Sequence, residues 1–247
     1  MMDYGTDSLR YGNYILRSVH TVEPEIERPD STVVEGFEGI PSSVASDVTG
    51  NVRFAMDSGI KPVYDGATLV GTAVTVKAEP GDNLIIHKAI TMAEPGDVLV
   101  IDANGYVETA HLGELMCASC KANDLAGIII DGAIRDSADI EEMEFPVYAR
   151  GIHPQGPLKQ SPGSINVTVT CGEVAVDPGD ILVGDDDGVT VVPGENAEEV
   201  LEAAREKFAA EGDTRELVEG GTYLYEAKGY NKLYEDMDVV GPEDSVQ

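Results

Sequence analysis

The stretch Gly127–Asp136, GIIIDGAIRD, decides how this chain is read. Three β-branched residues in succession, Ile128, Ile129 and Ile130, predict a strand covered on both faces. Asp131 and Gly132 break the run, and Arg135 and Asp136 follow at once. An anion clamp then stands beside a hard oxygen ligand, at the kind of strand end where α/β proteins carry their sites. The rest of the chain has to account for that pair.

Working outward, Gly113 to Asn123 is a helix candidate just upstream, and Asp136 to Glu144 another just downstream. Asn83 to Ala93, NLIIHKAITMA, places Leu84, His87, Lys88 and Thr91 at helical spacing with Ile86, Ile90 and Ala93 on an apolar side. Pro95-Gly96-Asp97 then feeds VLVID, Val98 to Asp102, read as a buried strand. The same device returns at Pro178-Gly179-Asp180 before Ile181 to Val183, which implies recurrent turn chemistry and not a duplicated domain. Gly66 to Ala78 alternates like a half-buried strand, and Ser42 or Ser43 can cap a short helix over Val44 to Val48. Short strands are expected at Phe145 to Ala149, Ile165 to Thr170, Val174 to Val176 and Val189 to Val192. Asp187-Gly188 is a hairpin signal, with Asp185 and Asp186 as turn residues beside it. Glu195 to Ala210 has the strongest helix propensity. The expected division is a polar extension over 1–32, a main domain over 33–220 and an acidic tail over 221–247 with Tyr223, Tyr225, Tyr230 and Tyr234. That tail is placed to pack on a neighbouring subunit.

Composition limits the function. In 247 residues, 46 acidic against 16 basic side chains give a formal net charge of -30, which argues against a nucleic-acid or anionic-membrane surface. The acidity is dispersed, as in proteins adapted to high salt, where screening removes most self-repulsion. No apolar run approaches membrane-spanning length and the start lacks a signal-peptide core, so a cytoplasmic protein is expected. Cys117, Cys120 and Cys171 read as reduced thiols, with Cys117-x-x-Cys120 a packing pair rather than half a zinc knuckle. His87 and His111 have no spaced metal partner and read as structural.

Each candidate has a structural rival at this stage. Arg135 serves equally as a surface ion-pair partner, and Asp136 as the cap of the helix that follows. Glu114 complements a helix start, Asn83 is a potential cap, and Lys159 a solvated loop cation.

Several ordered motifs break that tie. The run GDNLIIHKAITMAEPGDVLVIDANG, then GELM, GIIIDGAIRD, FPVYARG and PGDILVGDDDGVTVVP, resembles the RraA-like family, which includes the 4-hydroxy-4-methyl-2-oxoglutarate aldolases, over roughly residues 35 to 220. The resemblance implies a compact swivelling β/β/α domain of the α/β class, with a β-rich core and peripheral helices. It also implies a homotrimer or hexamer with active sites between subunits. The family's aldolases carry an acidic residue, twenty intervening residues and then Arg-Asp, and Glu114 stands at that distance from Arg135-Asp136. By that resemblance Arg135 holds the 2-oxo acid and its enolate, Asp136 ligates Mg2+ (or Mn2+), and Glu114 acts through water. Backbone N–H groups from Gly113, Glu114, Leu115 and Met116 receive the substrate carboxylate, while Asn83 and Lys159 line the pyruvate pocket. Glu211, in E-x3-R with Arg215, matches a glutamate that reaches the neighbouring subunit's metal waters. Glu114 replaces the more usual Asp, which sets the water network one methylene further out.

Two function classes follow. One is a metal-dependent lyase cleaving a 4-hydroxy-2-oxo acid to pyruvate, with oxaloacetate decarboxylation through the same enolate. The other is a non-catalytic regulator of ribonuclease activity that works by protein binding. A methyltransferase, an old label in this family, ranks last, since no glycine-rich methyl-donor loop follows a first strand.

Overall fold

The three isoleucines of the opening stretch are fully buried in the computed structural model, which describes residues 10–11, 14–15, 20–49 and 54–237. Of the predicted N-terminal extension, residues 1–9, 12–13 and 16–19 lie outside the described residues. Period-two geometry sends Ile128 and Ile130 to one face of a sheet and Ile129 to the other. Each face is then closed by a different kind of layer.

In chain order come the short pair β1 (Arg10–Tyr11) and β2 (Tyr14–Ile15), then α1 (Ser31–Glu35), α2 (Ser42–Val48), β3 (Lys61–Pro62) and β4 (Leu69–Lys77). The central run is α3 (Leu84–Ile90), β5 (Asp97–Leu112), α4 (Glu114–Ala122), β6 (Gly127–Ile134), α5 (Ser137–Met143) and β7 (Val147–Ile152). There follow β8 (Ser164–Ile165), β9 (Val169–Cys171), β10 (Val174–Val176), β11 (Ile181–Asp185) and β12 (Gly188–Val192). A 3-10 turn over Gly194–Asn196 leads into α6 (Ala197–Glu219), α7 (Leu224–Ala227) and α8 (Tyr230–Glu235).

Eight strands form the main sheet, in the order β12-β11-β4-β5-β6-β7-β3 with β8 added beside β4. The β4, β5, β6 and β7 core is parallel, and α3, α4 and α5 are the crossovers. These helices pack on the face of Val74, Leu99, Ile101, Ile128 and Ile130 through Ile86, Cys117 and Ile140. The opposite face, with Val98, Val100, Ile129 and Tyr148, is covered by the β9–β10 hairpin through Val169, Cys171, Val174 and Val176. A smaller cluster joins α1, α2 and α6 to β11 and β12. The result is a single mixed α/β domain with a sheet core and peripheral helices, layered hairpin on sheet on helices.

The repeated Pro-Gly-Asp device is one piece of chemistry used twice. Gly96 (φ 85) and Gly179 (φ 95) take left-handed turns. The aspartate after each turns back on an N–H three residues earlier: Glu94 N–H donates to Asp97 Oδ2 at 2.7 Å, and Asp177 N–H to Asp180 Oδ2 at 2.8 Å. Both aspartates are buried and tie in a distant segment as well: Asp97 accepts the Arg28 guanidinium at 2.8 Å and Asp180 the Gly194 N–H at 3.0 Å.

Several expected boundaries move, each for a physical reason. The strand expected at Val98–Asp102 continues to Leu112, because β5 bulges through Asn104 (φ 57) and Gly105 (φ 67) and then rejoins β6 with shifted register. The strand expected over Ile165–Thr170 is split, since Asn166 takes φ 57 and leaves the ladder. The segment expected at Phe145–Ala149 begins at Val147, after Pro146, and runs to Ile152. The helix expected to end at Ala210 runs through Gly212 to Glu219. No serine caps α2: Ser42 gives both its N–H (2.8 Å) and its hydroxyl (2.6 Å) to Asp185, so that aspartate fixes α2 as well as the β11–β12 turn.

Candidate active site

Strands β5 and β6 end side by side, and Arg135 N–H donates to the Leu112 carbonyl at 3.0 Å to hold the two exits together. Gly113 and Glu114 leave the first strand, Arg135 and Asp136 the second. The segments meet closely: a Cβ at Gly113 would lie 2.3 Å from Asp136 Oδ2 and 2.9 Å from Arg135 Cγ. Gly113 has φ -156, so backbone strain does not demand glycine there; the neighbouring side chains do.

Asp136 stands at the head of α5 in the left-handed region, φ 59 and ψ 38, and makes no side-chain cap. Its carboxylate turns instead to the start of α4, where Oδ2 accepts the Glu114 N–H at 3.2 Å and lies 3.3 Å from Arg135 Nε. The capping reading of Asp136 is therefore overturned. Glu114 is half-buried in the first turn of α4, and Leu115 beside it is 77% exposed.

The second wall comes from α3 and the loop after β7. Asn83 is buried at the head of α3 and caps nothing: Nδ2 donates to the His111 carbonyl at 2.7 Å and reaches Met116 Sδ at 3.4 Å, leaving Oδ1 buried without a partner. Since a carbonyl only accepts, the His111 contact fixes which way the amide points. Asp82 caps instead, taking the Leu84 N–H at 2.9 Å on one oxygen and the Gln160 N–H at 2.6 Å on the other, which ties the loop carrying Lys159 to α3.

The two walls enclose one cleft of about 470 Å3. Gly113, Glu114, Leu115, Met116, Arg135 and Asp136 line it, and so do Asn83 and Lys159. Of the residues singled out in the sequence, Glu211 alone is absent from the lining; it lies on α6, 3.1 Å from Lys207 Nζ. Sequence reasoning set His87 and His111 aside as structural and did not weigh Asp139; all three share the cleft. For His87 the signal was its position one turn after Asn83 on the exposed side of α3. His111 is fully buried, and its Nε2 accepts the Gly81 N–H at 3.0 Å, so the ring is neutral with its proton on Nδ1. Burial holds it below the usual histidine range. The Cys117 thiol, packed in the core under α4, is pushed up to about 12, first by burial and then by Cys120, Asp136 and Glu114. It stays protonated and serves packing, as expected.

The donor set fits a hard divalent ion. Asp136, Glu114 and Asp139 bring carboxylate oxygens to one cleft, and the absent Cβ of Gly113 keeps the Asp136 carboxylate in its cradle. Among the described residues no three His, Cys, Asp or Glu side chains gather in a group that could hold a metal ion. An ion held by one or two carboxylates, keeping several waters, is what such a site accommodates.

A parallel-core α/β domain whose strand exits present an Arg-Asp pair against a helix start sets the class of fold. The family model for RraA-like proteins, described as Aldolase/RraA, matches residues 42–191, and the chain belongs to that family. It is 41% identical over 173 residues to a Halalkalibacterium halodurans protein named "Putative 4-hydroxy-4-methyl-2-oxoglutarate aldolase", covering 70% of this chain and 82% of that one. Among solved structures it resembles Streptomyces coelicolor RraAS2, titled an unusual member of the RNase ES inhibitor RraA protein family, with TM-score 0.71, 31% identity and coverage of 77% and 99%. It also resembles a Geobacillus kaustophilus protein titled S-adenosylmethionine:2-dimethylmenaquinone methyltransferase, with TM-score 0.54, 32% identity and coverage of 56% and 86%.

Proposed function

We propose that the protein is a divalent-metal-dependent pyruvate aldolase, cleaving a 4-hydroxy-2-oxo acid such as 4-hydroxy-4-methyl-2-oxoglutarate to pyruvate and a second carbonyl compound. The observation that carries this is the convergence of Glu114, Arg135 and Asp136 in one cleft, with the Asp136 side chain turned away from the cap it was free to make.

Arg135 presents a planar fork to the carboxylate and keto oxygen of the 2-oxo acid. At the start of α4 the Glu114 N–H is taken by Asp136 and the Met116 N–H by the Gly113 carbonyl, which leaves the Leu115 N–H for the same carboxylate. When the C3–C4 bond breaks, the 4-hydroxyl loses its proton, the electron pair moves onto the keto oxygen, and the Arg135 guanidinium stabilises the enolate. Protonation at C3 gives pyruvate. Asp136 would hold the metal and Glu114 would orient water in the cleft. Mg2+ or Mn2+ would supply Lewis-acid polarisation there. Oxaloacetate decarboxylation passes through the same enolate and belongs to the same proposal.

We place the working protein in the cytoplasm at high salt, as a homotrimer or hexamer in which Glu211 and the tail after residue 220 meet a neighbouring subunit. Every described residue of α7 and α8 is exposed or half-exposed in the single chain, which supports that packing. Among the described residues no helix is long and apolar enough to cross a membrane. The second reading, a non-catalytic ribonuclease regulator, is supported by the likeness to RraAS2 and requires neither Asp136 nor Arg135.

Pyruvate release from 4-hydroxy-4-methyl-2-oxoglutarate and from oxaloacetate, with Mg2+ or Mn2+ and then with chelator, decides between them. Metal-dependent turnover is expected, and its absence on every 2-oxo acid sinks the aldolase. Arg135→Lys keeps the charge but loses the fork, so kcat/KM falls on the order of a hundredfold.

A further inference from the structure

Two glycines flank the Arg135 side chain, one at its stem and one at its head. A Cβ at Gly113 would meet Cγ and Nε, whereas a Cβ at Gly156 would lie 3.1 Å from Nη1 and, its chain neighbours aside, within 4 Å of no other described atom. Gly156 takes no left-handed turn, so its backbone is open to other residues. The loop that carries it is tightly restrained. His153 N–H donates to the Ile134 carbonyl at 2.8 Å, on the exit that leads into Arg135, and Ala110 N–H on β5 donates to the Gln155 carbonyl at 2.9 Å. Gln155 N–H closes on His153 Nδ1 at 3.1 Å, and Leu158 N–H donates to the Gly81 carbonyl at 2.8 Å. Pro154 and Pro157 fix φ on either side of Gly156. The guanidinium is lightly held by comparison. Its Nε lies 3.3 Å from Asp136 Oδ2, Nη1 and Nη2 pair with no described carboxylate, and the side chain is 44% exposed. A long side chain anchored at Nε alone can turn its fork in several directions. The missing Cβ at Gly156 leaves the recess that one of those directions fills.

We propose that Gly156 is a positioning residue: the space left by its absent side chain, on a restrained loop, sets the direction in which the Arg135 fork faces the 2-oxo acid. This rests on the aldolase reading for what Arg135 does. Gly113 and Gly156 then divide the task, since a methyl at the first displaces Asp136 together with Arg135, and a methyl at the second displaces the Arg135 head alone.

Gly156→Ala and Gly156→Val in the full-length protein, at high salt, test it. Ordinary contact lies at about 3.5 Å, so alanine moves the head by roughly 0.4 Å and valine moves it further. Misplacement by about 1 Å costs on the order of a hundredfold, so kcat/KM for pyruvate release should fall about fivefold in the alanine variant and more in the valine variant. Calorimetric pyruvate affinity with Mg2+ should weaken in both, while Mn2+ affinity stays within about twofold because Asp136 is untouched. The melting temperature should hold or rise, since replacing a glycine removes freedom from the unfolded chain. In an Arg135→Lys background, which has no Nη1, Gly156→Ala should change kcat/KM by less than about twofold; a merely structural loop would lose as much in either background. Parent-like kinetics in both Gly156 variants, equal losses in the two backgrounds, or Mn2+ affinity falling together with pyruvate affinity overturn the positioning role and leave the aldolase reading intact. A parent protein that binds no pyruvate and releases none from any 2-oxo acid overturns that reading and the role with it.

Discussion

Gly113→Ala is the sharpest single perturbation of this site, because the structure separates what it does to activity from what it does to the fold. The new methyl would sit 2.3 Å from Asp136 Oδ2, 2.9 Å from Arg135 Cγ and 3.1 Å from Arg135 Nε. Ordinary contact is reached near 3.5 Å, so Asp136 Oδ2 must move by roughly 1 Å. It cannot do so cheaply by a long, flexible swing, since its short side chain hangs from a left-handed backbone. The Glu114 N–H contact is lost and the guanidinium shifts with it. A misplacement of about 1 Å in a positioned site lowers kcat/KM on the order of a hundredfold, near 2.7 kcal/mol of transition-state stabilisation. Stability is another matter. At φ -156 alanine fits the backbone without strain, and the displaced partners, with side chains 44% and 37% exposed, contribute little to folding. Thermal unfolding should therefore move by under about 1 kcal/mol. Pyruvate release and a melting curve on the same preparation suffice. Parent-like kcat/KM in a folded Gly113→Ala protein would remove the Arg135–Asp136 pair from the chemistry.

Asp136→Asn should abolish metal-dependent turnover and weaken Mn2+ binding while leaving the melting temperature unchanged or raised, because asparagine tolerates the left-handed conformation as well as aspartate; unaltered Mn2+ affinity would displace Asp136 as ligand. A pH-dependent test addresses the Arg150 fork, which donates to Asp131 through Nε and to Asp57 through Nη2 at 2.5 Å. The Arg150 hydrogen bond holds Asp57 below the usual carboxylate range. A depressed carboxylate contributes stability above its unfolded value, about 4, and loses it as pH falls through the lower folded value. Arg150→Met should therefore be destabilised most at pH 7, with the gap to the parent narrowing at pH 3; denaturant melts showing a constant gap would reject the pair as the cause.

How much of this was legible in the sequence depends on whether the cause was local. The Ile128–Ile130 run, the Pro-Gly-Asp turns and the Asp187-Gly188 hairpin were readable because β-branching and turn chemistry act over a few residues. The β5 bulge was not, because Asn104-Gly105 ends strands elsewhere as readily as it bulges one, and only the pairing with β6 carries the strand on to Leu112. Spacing alone left Arg135, Asp136 and Glu114 with ion-pair and cap readings as good as chemical ones, and only the resemblance to the family's pattern singled them out. His111 was not readable: its neutral state depends on the Gly81 N–H, thirty residues away in sequence, and on complete burial. The structure brings Asn83, His87 and Lys159 to one wall through Asp82, whose carboxylate oxygens bind Leu84 N–H beside it and Gln160 N–H 78 residues further on.

Backbone preference, left to itself, would have placed the glycine at 136 and a larger residue at 113. The chain does the reverse. Position 113 is extended, where any residue fits, yet holds glycine; position 136 has φ 59, where glycine is favoured, yet holds aspartate at a cost of about 1 kcal/mol. Each exception explains the other, since the missing Cβ at 113 makes the space in which the strained aspartate puts its carboxylate against the start of α4. A purely structural turn between β6 and α5 needs neither. Part of what the pair gains is structural, since Asp136 satisfies the first N–H of α4, and the pairing of the two exceptions at one cleft supports the proposed site. The two exceptions here fall on the two strand exits that Arg135 N–H ties together.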